Sequence, residues 1–360
     1  MHASWCEGET LTAAFSVYLD VVRFVAAFAV FLDHLCGNSF TQGLLNPRIG
    51  RYGNVAVMIF FVLSGYVIAF VTSTRERNAK AYSIARFSRL YSVVTVALLL
   101  TFVFDAVGMR ANPHMYENPD VLPSAPSWAG YASSFAFVQQ FWMFGRYGLS
   151  PGTNQPFWSL SFEATYYVVA GLAMFAPRRI SYPLSLLLLG LAGVRIAILL
   201  PIWFLGYYLY KARDRIRPGT ALALFLFPVS AALIVFAPQL FPRNPDNYNL
   251  IQDYMTALAF SLNVIAARQL LDARIVIGRR LKAQARWLGG LTFPLYAIHF
   301  PALCLFAAIS PWAHTSWAHV VFIASSVLVL VAVCTPICEL FRRKLHQMLE
   351  RSSSSVASLQ

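Results

Sequence analysis

The chain of 360 residues is 58% hydrophobic and only 12% charged, and its formal net charge is +13. Its mean hydropathy of +0.58 is too high for a protein whose whole surface faces water. The basic residues lie between hydrophobic runs rather than on one water-facing element with stacking aromatics, so the positive charge does not indicate nucleic-acid binding. The composition predicts an integral membrane protein.

Ten apolar runs along the chain predict helices, because about 20 mainly apolar residues are needed to cross the hydrocarbon core of a bilayer. The segment before the first run, MHASWCEGET, has no basic residue, so we expect a retained first span rather than a cleaved signal peptide. The predicted fold class is all-α, a polytopic membrane helix bundle with about ten transmembrane helices. The predicted spans are about 14–36, 53–72, 90–109, 157–176, 182–197, 198–210, 219–237, 251–267, 287–309 and 318–340.

An eleventh apolar stretch, WAGYASSFAFVQQFWMFGR at 128–146, is richer in aromatic residues and is bounded by polar loops. We predict a re-entrant or interfacial element here, because a full span would invert the orientation of every later helix. The five cysteines have none of the spacings typical of a metal site. The sequence therefore predicts no metal site.

The distribution of Lys and Arg predicts the orientation of the helices. With a cytoplasmic N-terminus, 21 of the 28 basic residues fall in cytoplasmic segments and five in outer loops. The positive-inside rule favours this arrangement. One local feature disagrees, because the first ten residues contain no Lys or Arg whereas the first outer loop has Arg48 and Arg51. We give more weight to the sum of basic residues over all the cytoplasmic segments than to this one terminus. We therefore predict that both termini are cytoplasmic.

The first span, LDVVRFVAAFAVFLDH, contains ionisable groups that a membrane helix does not need. Arg23 and His34 are eleven residues apart, which places them on nearly the same helix face and roughly 16 Å apart along the axis. Asp20 lies one turn before Arg23 and can pair with it. An uncompensated Arg at the bilayer centre costs at least about 2.5 kcal/mol. We therefore predict that Arg23 faces a cavity or a partner.

Two further ionisable residues lie within predicted spans. FWSLSFEATYY places Glu163 in one span, and TFPLYAIHFP places His299 in another. Together with Arg23 and His34 they predict a polar interior that several helices share. The alternative is a structural ion pair between Asp20 and Arg23, with His34 at the membrane interface.

The segment ARFSRLYS places Arg86 and Arg89 three residues apart on one helix face at the predicted cytoplasmic boundary. They are either topology determinants or a phosphate clamp, for which the planar fork of Arg suits better than Lys. In the second span, Ser64 and Gly65 would allow a close approach of two helix backbones.

These motifs resemble acyltransferase family 3, whose members are multi-pass membrane acyltransferases. The family's Arg or Lys followed by His is matched by Arg23 and His34. Its FF-x-LSG segment is matched by FFVLSGYVI, its R-x-x-R plus aromatic by ARFSRLYS, its W-S-L-x-x-E by FWSLSFEATYY and its late Y-x-x-H by TFPLYAIHFP. The motifs occur in the family's order between about residues 19 and 340. Ser92 departs from the family, which commonly has Pro there.

The resemblance implies a bacterial inner-membrane enzyme that moves an acyl group, usually acetyl, from cytoplasmic acyl-CoA to a hydroxyl of an extracytoplasmic glycan or glycolipid. It implies that acetyl-CoA or another acyl-CoA is a donor substrate and that no cofactor is resident. Arg86 and Arg89 would bind the acyl-CoA. We expect one transmembrane acyltransferase domain at 1–345, a cytoplasmic tail at 346–360 and no appended hydrolase-like domain. The expected partners are acyl-CoA, the acceptor and membrane lipids, without nucleic acid.

We predict that His34 is the catalytic base, because imidazole has the unperturbed side-chain pKa closest to neutrality. His34 either deprotonates the acceptor hydroxyl for direct attack or is itself acylated, and the sequence does not separate these routes. Arg23 would position the donor or stabilise developing negative charge. Asp20, Glu163 and His299 would form a supporting polar core, and the last two are equally explained as buried partners that fix the bundle.

The rival class is a transporter or exporter, because intramembrane Asp, Arg and His also mark ion and proton paths. A transporter predicts related halves or Gly/Pro-broken helices in matching positions, and the sequence shows no such symmetry. The sequence leaves open the identity of the acceptor, the length of the acyl group and the oligomeric state.

Overall fold

The structure is a computed structural model that describes residues 11–45, 49–123, 125–145, 148–242, 249–271 and 275–357. These residues form helices and turns, and no strand is found among them. The helices are α1 Ala13–Leu35, α2 Asn38–Thr41, α3 Gly53–Thr74, α4 Ala79–Ala111, α5 Pro113–Tyr116, α6 Trp128–Phe135, α7 Trp158–Phe175, α8 Arg178–Ala192, α9 Val194–Lys211, α10 Thr220–Leu240, α11 Leu250–Leu270, α12 Arg279–Ala308 and α13 Trp317–Ala357. Three short 3-10 helices occupy Ile49–Arg51, Trp142–Phe144 and Gln155–Phe157.

Ten of the helices in the described residues correspond in order to the ten predicted spans, and the all-α membrane-bundle fold is confirmed. In the described part of the chain, eight helices are long and apolar enough to cross a membrane. The two predicted spans that are not among them are α7 and α8. The first half of α7 is polar because it contains most of the motif FWSLSFE, and α8 has only 15 residues.

The stretch 128–146 does not form a helix of spanning length in its described part. It contains α6, which has eight residues, and the three-residue 3-10 helix Trp142–Phe144. A span needs about 20 helical residues, so these short helices agree with a re-entrant or interfacial element.

The last helix is longer than the sequence predicts. α13 continues through the expected boundary at 345 and ends at Ala357. The described part of the predicted tail, 346–357, continues this helix, and its assignment as a cytoplasmic tail stays a prediction.

The chain forms two compact units that alternate along the sequence. The first unit comprises Met1–Ala26, Asn54–Arg77 and Leu199–Gly290, and the second comprises Ala27–Gly53, Asn78–Ile198 and Leu291–Gln360. Among the described residues, four long helices contribute residues to both units, α1, α9, α12 and, through its first residue Gly53, α3. The assignment of 1–345 to a single domain stays a prediction.

In the first unit, α10 and α11 pack along their length, and polar side chains join them within the apolar bundle. The amide nitrogen of Asn263 donates to the carbonyl oxygen of Phe227 at 2.9 Å and to Ser230 Oγ at 3.0 Å. Its amide oxygen accepts from the hydroxyl of Tyr18 at 2.6 Å. Because each polar group of this buried Asn side chain has a partner, it fixes three helix segments without an unsatisfied group.

Two glycines allow α3 and α9 to approach closely in the first unit. A Cβ on Gly65 would lie 1.9 Å from the carbonyl oxygen of Trp203, and a Cβ on Gly206 would lie 1.9 Å from that of Val62. Ser64 Oγ accepts from the indole nitrogen of Trp203 at 3.1 Å. The motif FFVLSG therefore packs two helix backbones together, as small residues do in membranes.

Replacing Gly65 by alanine is expected to lower the thermal stability of the protein in detergent. The new methyl group meets backbone atoms that cannot move aside, and overpacking of this kind costs about 1–3 kcal/mol. The control is Gly190→Ala in α8, where the added Cβ has nothing within 4 Å. Thermal unfolding followed by circular dichroism should show a loss for Gly65→Ala only, and equal behaviour of both variants would contradict the close packing.

In the second unit, the turn that precedes α7 is tied to α4 and α12. Asp105 of α4 accepts from the backbone N–H of Thr153 at 3.0 Å and from its hydroxyl at 2.6 Å. The amide of Asn154 donates to Thr101 Oγ1 at 3.1 Å and to the carbonyl oxygen of Ala297 at 2.9 Å. These four hydrogen bonds fix the entry into the WSL segment, where α7 begins.

Candidate active site

Two predicted site residues that are 265 positions apart in the sequence lie side by side in the second unit. His34, near the end of α1, and His299, in α12, have ring centroids 5.2 Å apart with an interplanar angle of 33°. The ring of Phe300 packs against His34 edge-on at 4.9 Å, and Phe31 packs against His299 at 6.4 Å. The two imidazoles therefore form a pair with aromatic walls, which we call the histidine pair.

The hydrogen bonds of His299 determine which ring nitrogen carries its proton. Its Nδ1 lies 2.9 Å from the carbonyl oxygens of both Leu295 and Tyr296. Carbonyl oxygens only accept hydrogen bonds, so Nδ1 is the donor and carries the hydrogen. In the neutral ring Nε2 then has the lone pair. Nε2 is buried and has no hydrogen-bond partner among the described residues.

The histidine pair can hold one extra proton more easily than two. The His299 side chain is fully buried, whereas His34 is half-buried. Two positive imidazolium rings at this separation would repel each other, and a low-dielectric interior strengthens that repulsion. The buried ring is therefore suited to act as a hydrogen-bond acceptor through Nε2, and His34 is the more accessible ring of the pair.

The motif FWSLSFE lies next to the histidine pair through Tyr296. The Tyr296 hydroxyl donates to the carbonyl oxygen of Pro156 at 2.8 Å, and its oxygen lies 2.6 Å from Ser159 Oγ. Because the tyrosine hydrogen is used at Pro156, Ser159 is the donor in the second contact. Tyr296 thereby joins α12, which carries His299, to the start of α7.

Replacing Tyr296 by phenylalanine is expected to destabilise the protein. The change leaves the carbonyl oxygen of Pro156 and the hydroxyl of Ser159 without this partner in a buried site, which costs about 1–3 kcal/mol. Tyr182→Phe is the matched control, because Tyr182 is 63% exposed. We expect thermal unfolding in detergent to show a lower midpoint for Tyr296→Phe and an unchanged midpoint for Tyr182→Phe. Equal midpoints for the two variants would contradict the structural role of this hydroxyl.

Glu163 lies one turn after Ser159 on α7 and faces the same polar interior. Its carboxylate accepts a hydrogen bond from the Tyr167 hydroxyl. The phenol of Tyr167 is within electrostatic range of Glu163, Arg86 and Arg89, and that of Tyr296 is within range of Glu163. A row of polar groups along α7 in the second unit, from Ser159 beside Tyr296 through Glu163 and Tyr167, thus leads toward Arg86.

Arg86 lies in a cavity of about 540 Å³ between α4, α7 and the segment around Phe137. Its guanidinium is 5.5 Å from the ring centre of Tyr167 and 5.8 Å from that of Tyr82. The Tyr82 hydroxyl donates to the carbonyl oxygen of Tyr167 at 2.9 Å. Most of the remaining cavity lining is aliphatic or aromatic. The cavity is within the size range of ligand sites, and neither histidine of the pair lines it.

The second predicted clamp residue, Arg89, is exposed, with its guanidinium 5.9 Å from the ring centre of Phe293. The last part of α13 adds Arg342 and Arg343, which both pair with Glu339 at 2.8–2.9 Å. This end of the second unit is therefore basic and carries the charge expected of a surface that binds phosphates.

The ion pair of the first span lies in the first unit. Arg23 Nη1 is 3.6 Å from Asp20 Oδ1, and both side chains are about one-fifth exposed. This is the pairing that the three-residue spacing predicts. Asp20 also packs against Gly289 and is within electrostatic range of Arg286. A catalytic role for Arg23 stays a prediction.

Sequence reasoning did not assign roles to several residues of the site. Tyr296, Ser159 and Tyr167 lie inside motifs that the sequence already shows, at i−3 from His299 and at i−4 and i+4 from Glu163. Those helical spacings were the available signal. Arg195 has no such spacing to a motif residue. In the structure its guanidinium lies 4.9 Å from the ring centre of Trp158 and helps to hold that ring in place.

Comparison with known proteins agrees with the motifs. The family model described as an acyltransferase domain, that of acyltransferase family 3, matches residues 16–338. Acyltransferase MdmB of Streptomyces mycarofaciens is 30% identical over 186 residues, which are 50% of this chain and 44% of that protein. Peptidoglycan O-acetyltransferase OatA of Listeria monocytogenes is 28% identical over 163 residues, which are 42% of this chain and 23% of that protein. The chain therefore matches less than half the length of either relative. No solved structure matches.

The chain belongs to acyltransferase family 3, because the family model covers most of its length. It is a polytopic membrane protein with the acyltransferase domain of that family. This membership was expected from the resemblance of five motifs, and it is confirmed.

Proposed function

We propose that the protein is a membrane O-acyltransferase that moves an acyl group, with acetyl as the first candidate, from acyl-CoA to a hydroxyl of an extracytoplasmic glycan or glycolipid. The observation that carries the proposal is the histidine pair, which joins a half-buried imidazole to a buried one whose acceptor nitrogen is available. The O-acetyltransferase named among the relatives supports the same reaction class.

In the proposed reaction His34 takes the proton of the acceptor hydroxyl. The hydroxyl oxygen attacks the thioester carbonyl, the carbon–sulfur bond breaks, and the CoA thiolate leaves with the proton that His34 releases. In the alternative route a nitrogen of His34 attacks the thioester carbonyl, the carbon–sulfur bond breaks and CoA leaves as the thiol with the proton of the imidazole. The acceptor hydroxyl oxygen then attacks the acyl group, the carbon–nitrogen bond breaks, and the hydroxyl proton returns to the imidazole. His299 supports either route by accepting a hydrogen bond at Nε2, which orients the neighbouring groups.

The donor would bind at the basic end of the second unit. Arg86 and Arg89, with Arg342 nearby, offer planar guanidinium forks for the phosphates of CoA. The positive-inside distribution of Lys and Arg favours a cytoplasmic location for this end and an inner-membrane protein with cytoplasmic termini. The polar row through Glu163 supports a passage from there to the histidine pair. Arg23 would position the donor or stabilise developing negative charge.

A transporter is the second candidate, since buried ionisable residues also form ion paths. The membership in an acyltransferase family favours the enzyme. The discriminating experiment uses the purified full-length chain in proteoliposomes with radiolabelled acetyl-CoA. Acceptor-dependent release of free CoA and transfer of label to a hydroxyl-bearing glycan support the proposal. Absence of both with every glycan fraction of the source cell, together with solute uptake, would favour the transporter.

A further inference from the structure

The first unit has a polar pocket that the proposed reaction does not use. Its volume is about 200 Å³, and it lies where the end of α9 meets the start of α1 and the end of α11. It is lined by Leu11, Thr12, Phe15, Tyr210, Arg213, Asp214 and Arg268. From the sequence, the basic residues here served only to predict topology.

Positive charge exceeds negative charge at this pocket. The carboxylate of Asp214 lies 2.7 Å from the guanidinium of Arg217, 3.0 Å from that of Arg268 and 3.6 Å from that of Arg213. Hydrogen bonds from Arg217 and Arg268 hold the pKa of Asp214 below its usual value, so this loop carboxylate is ionised at neutral pH. Arg217 does not line the pocket, so among its described lining residues two guanidinium groups lie beside one carboxylate, which leaves one positive charge in excess.

Two of these guanidinium groups are sheltered and fixed in place. The side chains of Arg213 and Arg268 are 15% and 26% exposed, whereas that of Arg217 is 63% exposed. The guanidinium of Arg213 lies 4.2 Å from the ring centre of Tyr210, and Arg268 donates to the backbone carbonyl oxygen of Arg213. Sheltered charges are costly unless they are compensated. An anion in the pocket would offset the excess charge and find its donors already oriented.

A buried hydroxyl adds a further donor beside the same arginines. Tyr66 is 2% exposed, and its hydroxyl has no hydrogen-bond partner among the described residues. It lines a cavity of about 10 Å³ together with Arg213 and Arg268, which is space for about one water-sized group. A buried hydroxyl without a partner costs free energy, and an oxyanion held by the two arginines would supply the acceptor.

We propose that Arg213 and Arg268, which line both this pocket and the small cavity beside it, form a phosphate-binding site together with Tyr66 of that cavity. Guanidinium groups bind phosphate oxygens through two parallel hydrogen bonds, and the hydroxyl of Tyr66 has no competing hydrogen-bond partner in the described part of the chain. The phosphate has one of two sources. It belongs either to a soluble phosphorylated nucleotide, such as the nucleotide part of CoA, or to the headgroup of an anionic phospholipid. The site is additional to Arg86 and goes beyond the proposed reaction.

The test measures binding rather than activity, so that its outcome does not depend on the proposed function. The full-length chain is purified in a maltoside detergent, which contains no phosphate. Adenosine 3′,5′-bisphosphate is titrated by calorimetry, and phosphatidylglycerol binding is measured by native mass spectrometry. The variants are Arg268→Gln and Tyr66→Phe, and Arg217→Gln is the matched control because its guanidinium contacts Asp214 but does not line the pocket.

We expect Arg268→Gln to weaken binding of the effective probe by about 10-fold or more, as loss of a bidentate contact predicts. Tyr66→Phe should weaken it by about 3- to 10-fold through loss of one hydrogen bond. Arg217→Gln should change it by less than about 2-fold, as expected for an exposed ion pair. Saturation by either probe identifies the source of the phosphate. If neither probe binds the unmodified chain, or if Arg217→Gln weakens binding as much as Arg268→Gln, the proposal is wrong. Should Arg268→Gln not fold, unchanged binding in Tyr66→Phe would overturn it.

Discussion

Replacing His34 by alanine is expected to lower acyl transfer by about 10²- to 10⁴-fold, which is the range that a positioned acid–base group contributes. The loss should appear in kcat rather than in the KM for acyl-CoA, because in the proposed reaction His34 acts on the reacting atoms, whereas the predicted donor clamp is elsewhere in the second unit. The measurement is release of CoA by the variant in proteoliposomes, with protein amount and folding checked by gel filtration in detergent.

The matched control for this substitution is His114→Ala. His114 lies in α5, its side chain is 92% exposed, and it belongs to none of the motifs. We expect this variant to transfer acyl groups at the rate of the unmodified chain. Full transfer by His34→Ala would remove His34 from the reaction. Acid-quenched samples of the unmodified enzyme, analysed by mass spectrometry, separate the two routes, since only the covalent route leaves an acyl group on His34.

The helices were predictable because each is encoded in a contiguous stretch of sequence. The apolar runs predicted α1, α3, α10 and α11 close to their observed bounds. A run of about 20 apolar residues has the length and composition of a helix that crosses the hydrocarbon core of a bilayer. The bounds of α4 and α13 were less well predicted. Their charged ends continue the helix beyond the apolar part, to Ala79 in α4 and to Ala357 in α13, and hydropathy does not detect a helix outside the membrane.

Contacts between helices were not predictable in the same way, because a single sequence does not show which spans are neighbours. The sequence indicated that His34 and His299 both lie within spans, but not that their rings pack 5.2 Å apart. For that reason the sequence assigned His299 only to the supporting polar core. Likewise, Gly65 was expected to allow a close approach, and only the structure shows that its neighbour is the backbone of Trp203.

The division into two units was also not visible in the sequence. No linker separates them, because each unit takes segments from several parts of the chain and α1 passes through the boundary between Ala26 and Ala27. Helical periodicity placed Arg23 and His34 on one face of α1, and this follows from local geometry alone. Which residues surround each of them depends on helices that come much later in the chain.

The second large effect is expected at His299, where two substitutions separate a catalytic from a structural role. Asparagine can keep the donor at the position of Nδ1, and therefore the hydrogen bonds to the carbonyl oxygens of Leu295 and Tyr296, but it has no atom at the position of Nε2. Glutamine can place an oxygen acceptor near the position of Nε2 and loses the donor at Nδ1. The two variants therefore remove different halves of the same side chain.

If Nε2 takes part in the reaction, His299→Asn should fold normally and lose about 10²-fold in kcat, because misplacing a reacting group by about 1 Å costs that much. His299→Gln should then retain more activity than His299→Asn, although it loses some thermal stability. A purely structural histidine predicts the opposite order, since asparagine preserves the bonds that hold α12. Initial rates of CoA release and thermal unfolding, measured on the same preparations, decide between these two orders of activity. A fully active His299→Asn would show that the histidine pair works through His34 alone.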